Sequence, residues 1–113
     1  MAEASKELIE KVYEAIELAK SSGKVVKGAN EATKALERGT AKLVAVAKDV
    51  QPPEIVMHLP LLAKEKGIPC IKVGTKEELG AAAGLTLATT AIAVLVEGEA
   101  KNLIAEIAKE TNE

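Results

Sequence analysis

The sequence predicts an α/β fold, a three-layer α/β/α sandwich around a mixed, mostly parallel sheet of about four strands. Three observations predict it. Amphipathic stretches with apolar residues at helical spacing alternate with short, nearly continuous aliphatic runs. Those runs, Lys42 to Ala47 and Ala91 to Val96 above all, suit strands covered on both faces rather than half-exposed ones. Glycine or proline punctuates most boundaries, as at Gly23, Gly28, Gly39, Pro52-Pro53, Gly74 and Gly98. With 113 residues, 48% of them hydrophobic, the chain is read as a single domain over residues 1–113, without internal repeat or linker.

Taken in order, Ser5 to Lys20 carries Leu8, Val12, Ala15, Ile16 and Ala19 at helical spacing, with Glu7 and Lys11 as an i, i+4 pair and Ser21-Ser22-Gly23 as the stop. Tyr13 stands beside the apolar stripe. Val25-Val26 reads as a short strand, and Lys42 to Ala47 as the next. Pro52-Pro53 sets a helix start, since the first-turn amides have no partners to lose; that helix is expected to run to about Lys66, bent at Pro60. Ile68 to Val73 is a strand ended by Gly74. Thr75 and Glu78 have capping-box spacing for a short helix that Gly80 to Gly84 closes. A loop through Leu85, Thr86 and Leu87 precedes the last strand, Ala91 to Val96, and Leu103, Ile104, Ile107 and Ala108 mark a final helix.

Composition narrows the function. With one Tyr and no Phe or Trp, the core must be aliphatic, and the aromatic stacking platforms of single-strand binders and RNA-recognition sheets are excluded. Any RNA must therefore be read by shape and base edges, and a net charge of −2 on its own argues against a general polyanion binder. The single Cys cannot form an internal disulfide. No apolar run is long enough to span a bilayer, and residues 1–10 lack a signal-peptide core.

The most informative stretch is Lys27 to Gly39. Asn30 is placed as an N-cap and Gly39 as the stop of a helix of roughly 8–9 residues. Ala32, Ala35, Leu36 and Gly39 then share one face; Glu31, Lys34 and Arg38 share another. A carboxylate in the first turn would repel phosphate, so a simple phosphate cradle is unsuitable. An amide, an acid and an ammonium group together suit a partner with both donors and acceptors, such as a guanine edge. The same pattern also fits a capped surface helix carrying an i, i+3 ion pair.

The segments Gly28 to Gly39, Ala41 to Val44 and Pro52 to Leu62 resemble, in order and spacing, the archaeal kink-turn-binding ribosomal protein family called seven-Ae of the large subunit. Glu65 to Pro69, Thr75 to Gly80 and Ala83-Gly84 continue the likeness, which spans about Gly23 to Glu99. The resemblance implies that Gly28, Asn30, Glu31 and Lys34 contact guanines of tandem sheared G·A pairs, with Lys27 and Arg38 near phosphates. It implies that Ile55 and Lys76 line a pocket for a flipped-out nucleotide, and that Leu85, Thr86 and Leu87 form a loop covering the RNA. Gln51 stands where that family usually has an acid, so an amide replaces a carboxylate beside that nucleotide. A short extended segment that commonly precedes the family's first helix is missing or reduced.

Other candidates are weaker. His58 is the only histidine and has no Cys cluster beside it, so it is read as a satisfied core or capping residue. Cys70, on a strand, is read as a small apolar residue. The carboxylates sit on helices with lysines one turn away, as solvated faces do. Gly74-Thr75-Lys76 and Gly80 to Gly84 match neither the Walker spacing nor the dinucleotide fingerprint.

The resemblance therefore implies a cytoplasmic, non-enzymatic RNA-binding protein, without cofactor, that stabilises kink-turn and kink-loop motifs in ribosomal RNA and in box C/D and H/ACA guide RNAs. Ribonuclease P RNA is a further candidate, which would connect the protein to tRNA processing as well as ribosome biogenesis. The core proteins of ribonucleoprotein particles are the expected protein partners; no membrane and no small-molecule substrate is expected. Two alternatives stay open: a protein-interaction module on the same fold, and an accessory RNA-binding domain of an RNA-modification complex.

Overall fold

In a computed structural model describing residues 5–111, four strands form one sheet and five α-helices cover it. Helix α1 (Lys6–Ser22) starts where the Ser5 hydroxyl accepts from the Leu8 amide at 3.1 Å, and it buries the predicted stripe of Leu8, Val12, Ala15, Ile16 and Ala19. It stops at Gly23, where a β-carbon would collide with the Val96 carbonyl. Strand β1 (Lys24–Lys27), helix α2 (Ala29–Arg38) and strand β2 (Leu43–Val46) follow. After a 3-10 turn over Pro53–Ile55 come α3 (His58–Lys66), β3 (Cys70–Lys72), α4 (Lys76–Ala82) and β4 (Ala91–Val96). A second 3-10 turn, Gly98–Ala100, leads into α5 (Lys101–Thr111).

The strand order is β1-β4-β2-β3. The sheet is mixed, as expected, but only β2 and β3 run parallel; β4 is antiparallel to both β1 and β2. The expected parallel majority fails because β4 inserts between β1 and β2 in the reverse direction. Helices α2 and α3 pack together, while α1 packs on α4 and α5. Burial on both faces explains the unbroken apolar runs: every residue of β2 and the first four of β4 are buried. The core is aliphatic, with Ile16, Leu36, Leu43, Leu59, Ile71, Leu79, Ile92 and Ile107 its largest fully buried side chains.

Several local expectations change. Lys11 pairs with Glu110 of α5 at 3.1 Å rather than with Glu7, tying the first helix to the last. No continuous helix runs from Pro53 to Lys66: α3 restarts at His58, which puts Pro60 in its first turn, where a missing amide and a bulky ring are tolerated. Pro60 thus bends nothing. His58 is exposed rather than in the core; its Nε2 lies 2.7 Å from the Thr33 hydroxyl. That hydroxyl donates to the Ala29 carbonyl, so the imidazole N–H is the donor to it. Whether an extended segment precedes α1 concerns residues 1–4, outside the described residues.

Thr75 forms the predicted capping box: its hydroxyl accepts from the Glu78 amide at 3.1 Å and the Glu78 carboxylate accepts from the Thr75 amide at 2.9 Å. Hydrogen bonds from the Thr75 backbone and then its side chain hold the Glu78 carboxyl below its ordinary value. This contribution to stability is present at neutral pH and is lost as pH falls through the lowered value. Thr75→Ala is expected to cost about 1 kcal/mol by chemical denaturation. It should also return the Glu78 titration, followed by NMR, toward the ordinary carboxylate range.

Candidate nucleic-acid interface

Helix α2 begins two residues earlier than the sequence suggested. Gly28, not Asn30, is the N-cap; its φ of 95° lets the chain turn from strand directly into helix, and its carbonyl accepts the first helical bond from Ala32 at 3.0 Å. Asn30 therefore sits inside the first turn, exposed, and its side chain makes no hydrogen bond with another described residue. The earlier start frees its amide for a partner. Glu31 and Lys34 lie beside it on the exposed face, 3.5 Å apart as an i, i+3 ion pair. Gly39 closes the helix in the left-handed conformation, as expected. The buried face consists of Ala29, Ala32, Ala35 and Leu36, whereas Gly39 is exposed.

The mouth of α2 is joined to the 85–90 loop by a chain of hydrogen bonds. Gly28 N–H donates to Ala91 O at 2.7 Å, at the foot of β4 where the loop ends. The Thr89 amide donates to Lys76 O at 3.2 Å, and its hydroxyl to Ala91 O at 3.1 Å. At the other end of the loop, Leu85 N–H donates to Gly80 O at 2.9 Å. The loop backbone lies flat against α4, because a β-carbon at Gly80 would collide with the Leu87 carbonyl. Seated this way, the loop holds Leu87 out to solvent, 76% exposed, with Thr86 beside it.

Lys76 is the first residue of α4, and its amide donates to Asp49 Oδ1 at 2.9 Å. Lys48 N–H donates to Gly74 O, which fixes the segment after β2 against the same helix entrance. Ile55, 43% exposed, stands in the 3-10 turn that follows. A groove of about 590 Å³ has Lys27 and Glu31 from the β1–α2 junction and Leu85 from the loop among its lining residues. Of the residues singled out in the sequence, Gly28, Asn30, Glu31 and Lys34 are thus gathered at the mouth of α2, with Lys27 beside them and Leu85 in the same groove. Arg38 is not: it lies at the far end, about 10 Å along the helix axis from Glu31.

Other candidate chemistries find little here. Burial pushes the Cys70 thiol up to about 12, so at neutral pH it is a protonated apolar side chain rather than a nucleophile. Among the described residues no group of three His, Cys, Asp or Glu side chains is placed to hold a metal ion, and no helix is long and apolar enough to cross a membrane.

The profile of the ribosomal protein L7Ae/L30e/S12e/Gadd45 family matches residues 10–104. The chain belongs to this family. Among solved structures it is similar to the Giardia lamblia 15.5kD RNA binding protein, with 34% identity and a TM-score of 0.92, covering 99% of this chain and 93% of that one. The resemblance read from about Gly23 to Glu99 points to the same family; neither similarity singles out its archaeal branch. Within this L7Ae-type scaffold, Asp49, Lys20, Gly80 and Thr89 were not chosen from sequence, although they hold or line the site. Asp49 receives the amide of a residue 27 positions later, and no local pattern marks such a pairing. Gly80 was legible as a glycine inside a helical pattern, a mark of close backbone approach.

Proposed function

We propose that this L7Ae-family chain binds RNA, and specifically that it recognises kink-turn or kink-loop elements and holds them bent. The observation that carries the reading is the assembly of exposed Asn30, Glu31 and Lys34 at one helix mouth, beside a groove that Glu31 shares with Leu85. An acceptor, a donor-acceptor amide and a cation together complement a purine edge. Lys27 supplies charge for nearby phosphates, and the apolar loop excludes water from the bend. Ile55 and Lys76 are the proposed lining for the flipped-out nucleotide. Arg38 takes phosphate farther along the same face.

Binding acts by selection. A flexible RNA samples bent and extended forms, and a protein complementary only to the bent form shifts the population toward it by its differential affinity. The function is accordingly binding and not catalysis, in cytoplasmic ribosomal RNA and guide-RNA particles whose core proteins dock beside the stabilised bend. The deciding experiment is a gel shift with a kink-turn duplex, beside the same duplex with its G·A pairs replaced by Watson–Crick pairs. Preference for the first supports the reading; equal binding of the two removes base-pair recognition, and no binding of either favours the protein-interaction alternative. Leu87→Glu is expected to weaken kink-turn binding by about 1 kcal/mol or more, because it sets a carboxylate against the phosphates and must lose water on contact. Unchanged affinity in the same titration would place the loop away from the RNA.

A further inference from the structure

The groove beside the α2 mouth extends beyond the residues assigned so far. Lys20, from the last turn of α1, and Lys24, from β1, line it together with Lys27, over an aliphatic floor that includes Val25, Leu85 and Ile92. At about 590 Å³ it is an open surface groove, suited to a strand lying along it. Three lysines line it against one acid, Glu31, which is already paired with Lys34. None of the three lysines is within ion-pair distance of a carboxylate among the described residues.

Protection of an edge strand accounts for two of these charges, since β1 pairs only with β4 and lysines discourage further pairing there. It does not account for Lys20, which belongs to a helix. The Lys20 side chain lies across Gly84, where any β-carbon would collide with its ammonium group and where φ is 72°. Gly84 thus leaves room for the Lys20 ammonium group next to Ala83 and Leu85, which line the groove.

We infer that this lysine-rimmed groove carries the ribose–phosphate backbone of the RNA strand leaving the α2 mouth, adding phosphate contacts that do not read sequence. The inference rests on the RNA-binding reading above. The aliphatic side chains of its floor accept the C–H faces of riboses, and its lysines supply charge for phosphates. Because Lys27 and Glu31 line both the mouth and the groove, a strand passes from one to the other along a continuous surface.

The test uses the full chain, a Lys20→Gln/Lys24→Gln double variant and a Lys20→Arg/Lys24→Arg double variant, titrated with kink-turn RNA over a range of salt concentrations. Removing two cations that neutralise phosphates should lower the slope of log affinity on log salt by about 1.4–1.8. At low salt the glutamine variant should keep the wild-type ratio of affinities for the kink-turn duplex and its Watson–Crick control, and the arginine variant should keep the slope as well. An unchanged slope in the glutamine variant overturns the inference, as does a changed ratio, or an arginine variant that behaves like the glutamine one. A wild-type chain that fails to distinguish the two duplexes sinks the functional reading itself; one that distinguishes them while the glutamine slope stays unchanged sinks only the groove.

Discussion

Leu36→Ala is expected to cost about 2–5 kcal/mol of folding stability, read as a fall in the denaturation midpoint at constant m-value. Leu36 is 0% exposed and is the only large side chain on the buried face of α2, where its companions are Ala29, Ala32 and Ala35. The alanines let the helix backbone lie close to α3 and β4 but bury little area themselves, so Leu36 supplies most of the anchoring. Surrounding residues can fill the vacated space only by moving the helix that carries Asn30, Glu31 and Lys34. A domain of this size has about 5–15 kcal/mol in total, so the variant should lose RNA binding well below the temperature at which the parent unfolds. Leu61→Ala is the control: Leu61 is 69% exposed, and its removal should change stability by no more than about 0.5 kcal/mol. Equal effects at the two positions would contradict the packing described for α2.

The contrast between these leucines also shows what the sequence makes legible. Helical spacing separated the buried face of α2 from its polar face because one amphipathic helix against one core obeys a local rule. The same holds for α1 and for β4, whose bounds matched those expected from sequence. Pairings distant in the chain were not legible. Glu7 stands at i, i+4 spacing from Lys11 on its own helix, yet Glu110 of the last helix holds it. The direction of β4 between β1 and β2 depends on how crossovers pack, which no single aliphatic run encodes. Tyr13 was visible only as an isolated aromatic; its hydroxyl accepts from Gly74 N–H at 2.9 Å, latching α1 to the end of β3. At the site, a glycine with positive φ displaced the expected asparagine cap. Gly28 and Asn30 both favour helix starts, and the hydrogen bond from Gly28 to the β4 strand decides between them.

That displacement bears on the other large effect. Asn30→Ala, Glu31→Ala and Lys34→Ala are each expected to weaken kink-turn RNA binding by about 1–3 kcal/mol, the range of a good base-edge contact. Had Asn30 been the cap, its loss would also have cost about 1 kcal/mol of stability. Since Gly28 caps the helix and all three side chains are exposed, the variants should keep their denaturation midpoints while losing affinity. The losses should not add. Glu31 and Lys34 form an exposed pair worth only a few tenths of a kcal/mol in the free protein, but in the proposed complex each would orient the other toward the RNA. The double variant should therefore lose less than the sum of the single variants. Arg38→Ala supplies the contrast at the far end of the same face: if Arg38 takes phosphate as proposed, its removal should weaken kink-turn and Watson–Crick duplexes alike, whereas substitution at the mouth should abolish the distinction between them. If all three single variants bound at full strength, the guanine-reading role of the α2 mouth would have to be abandoned, whatever RNA the rest of the surface holds.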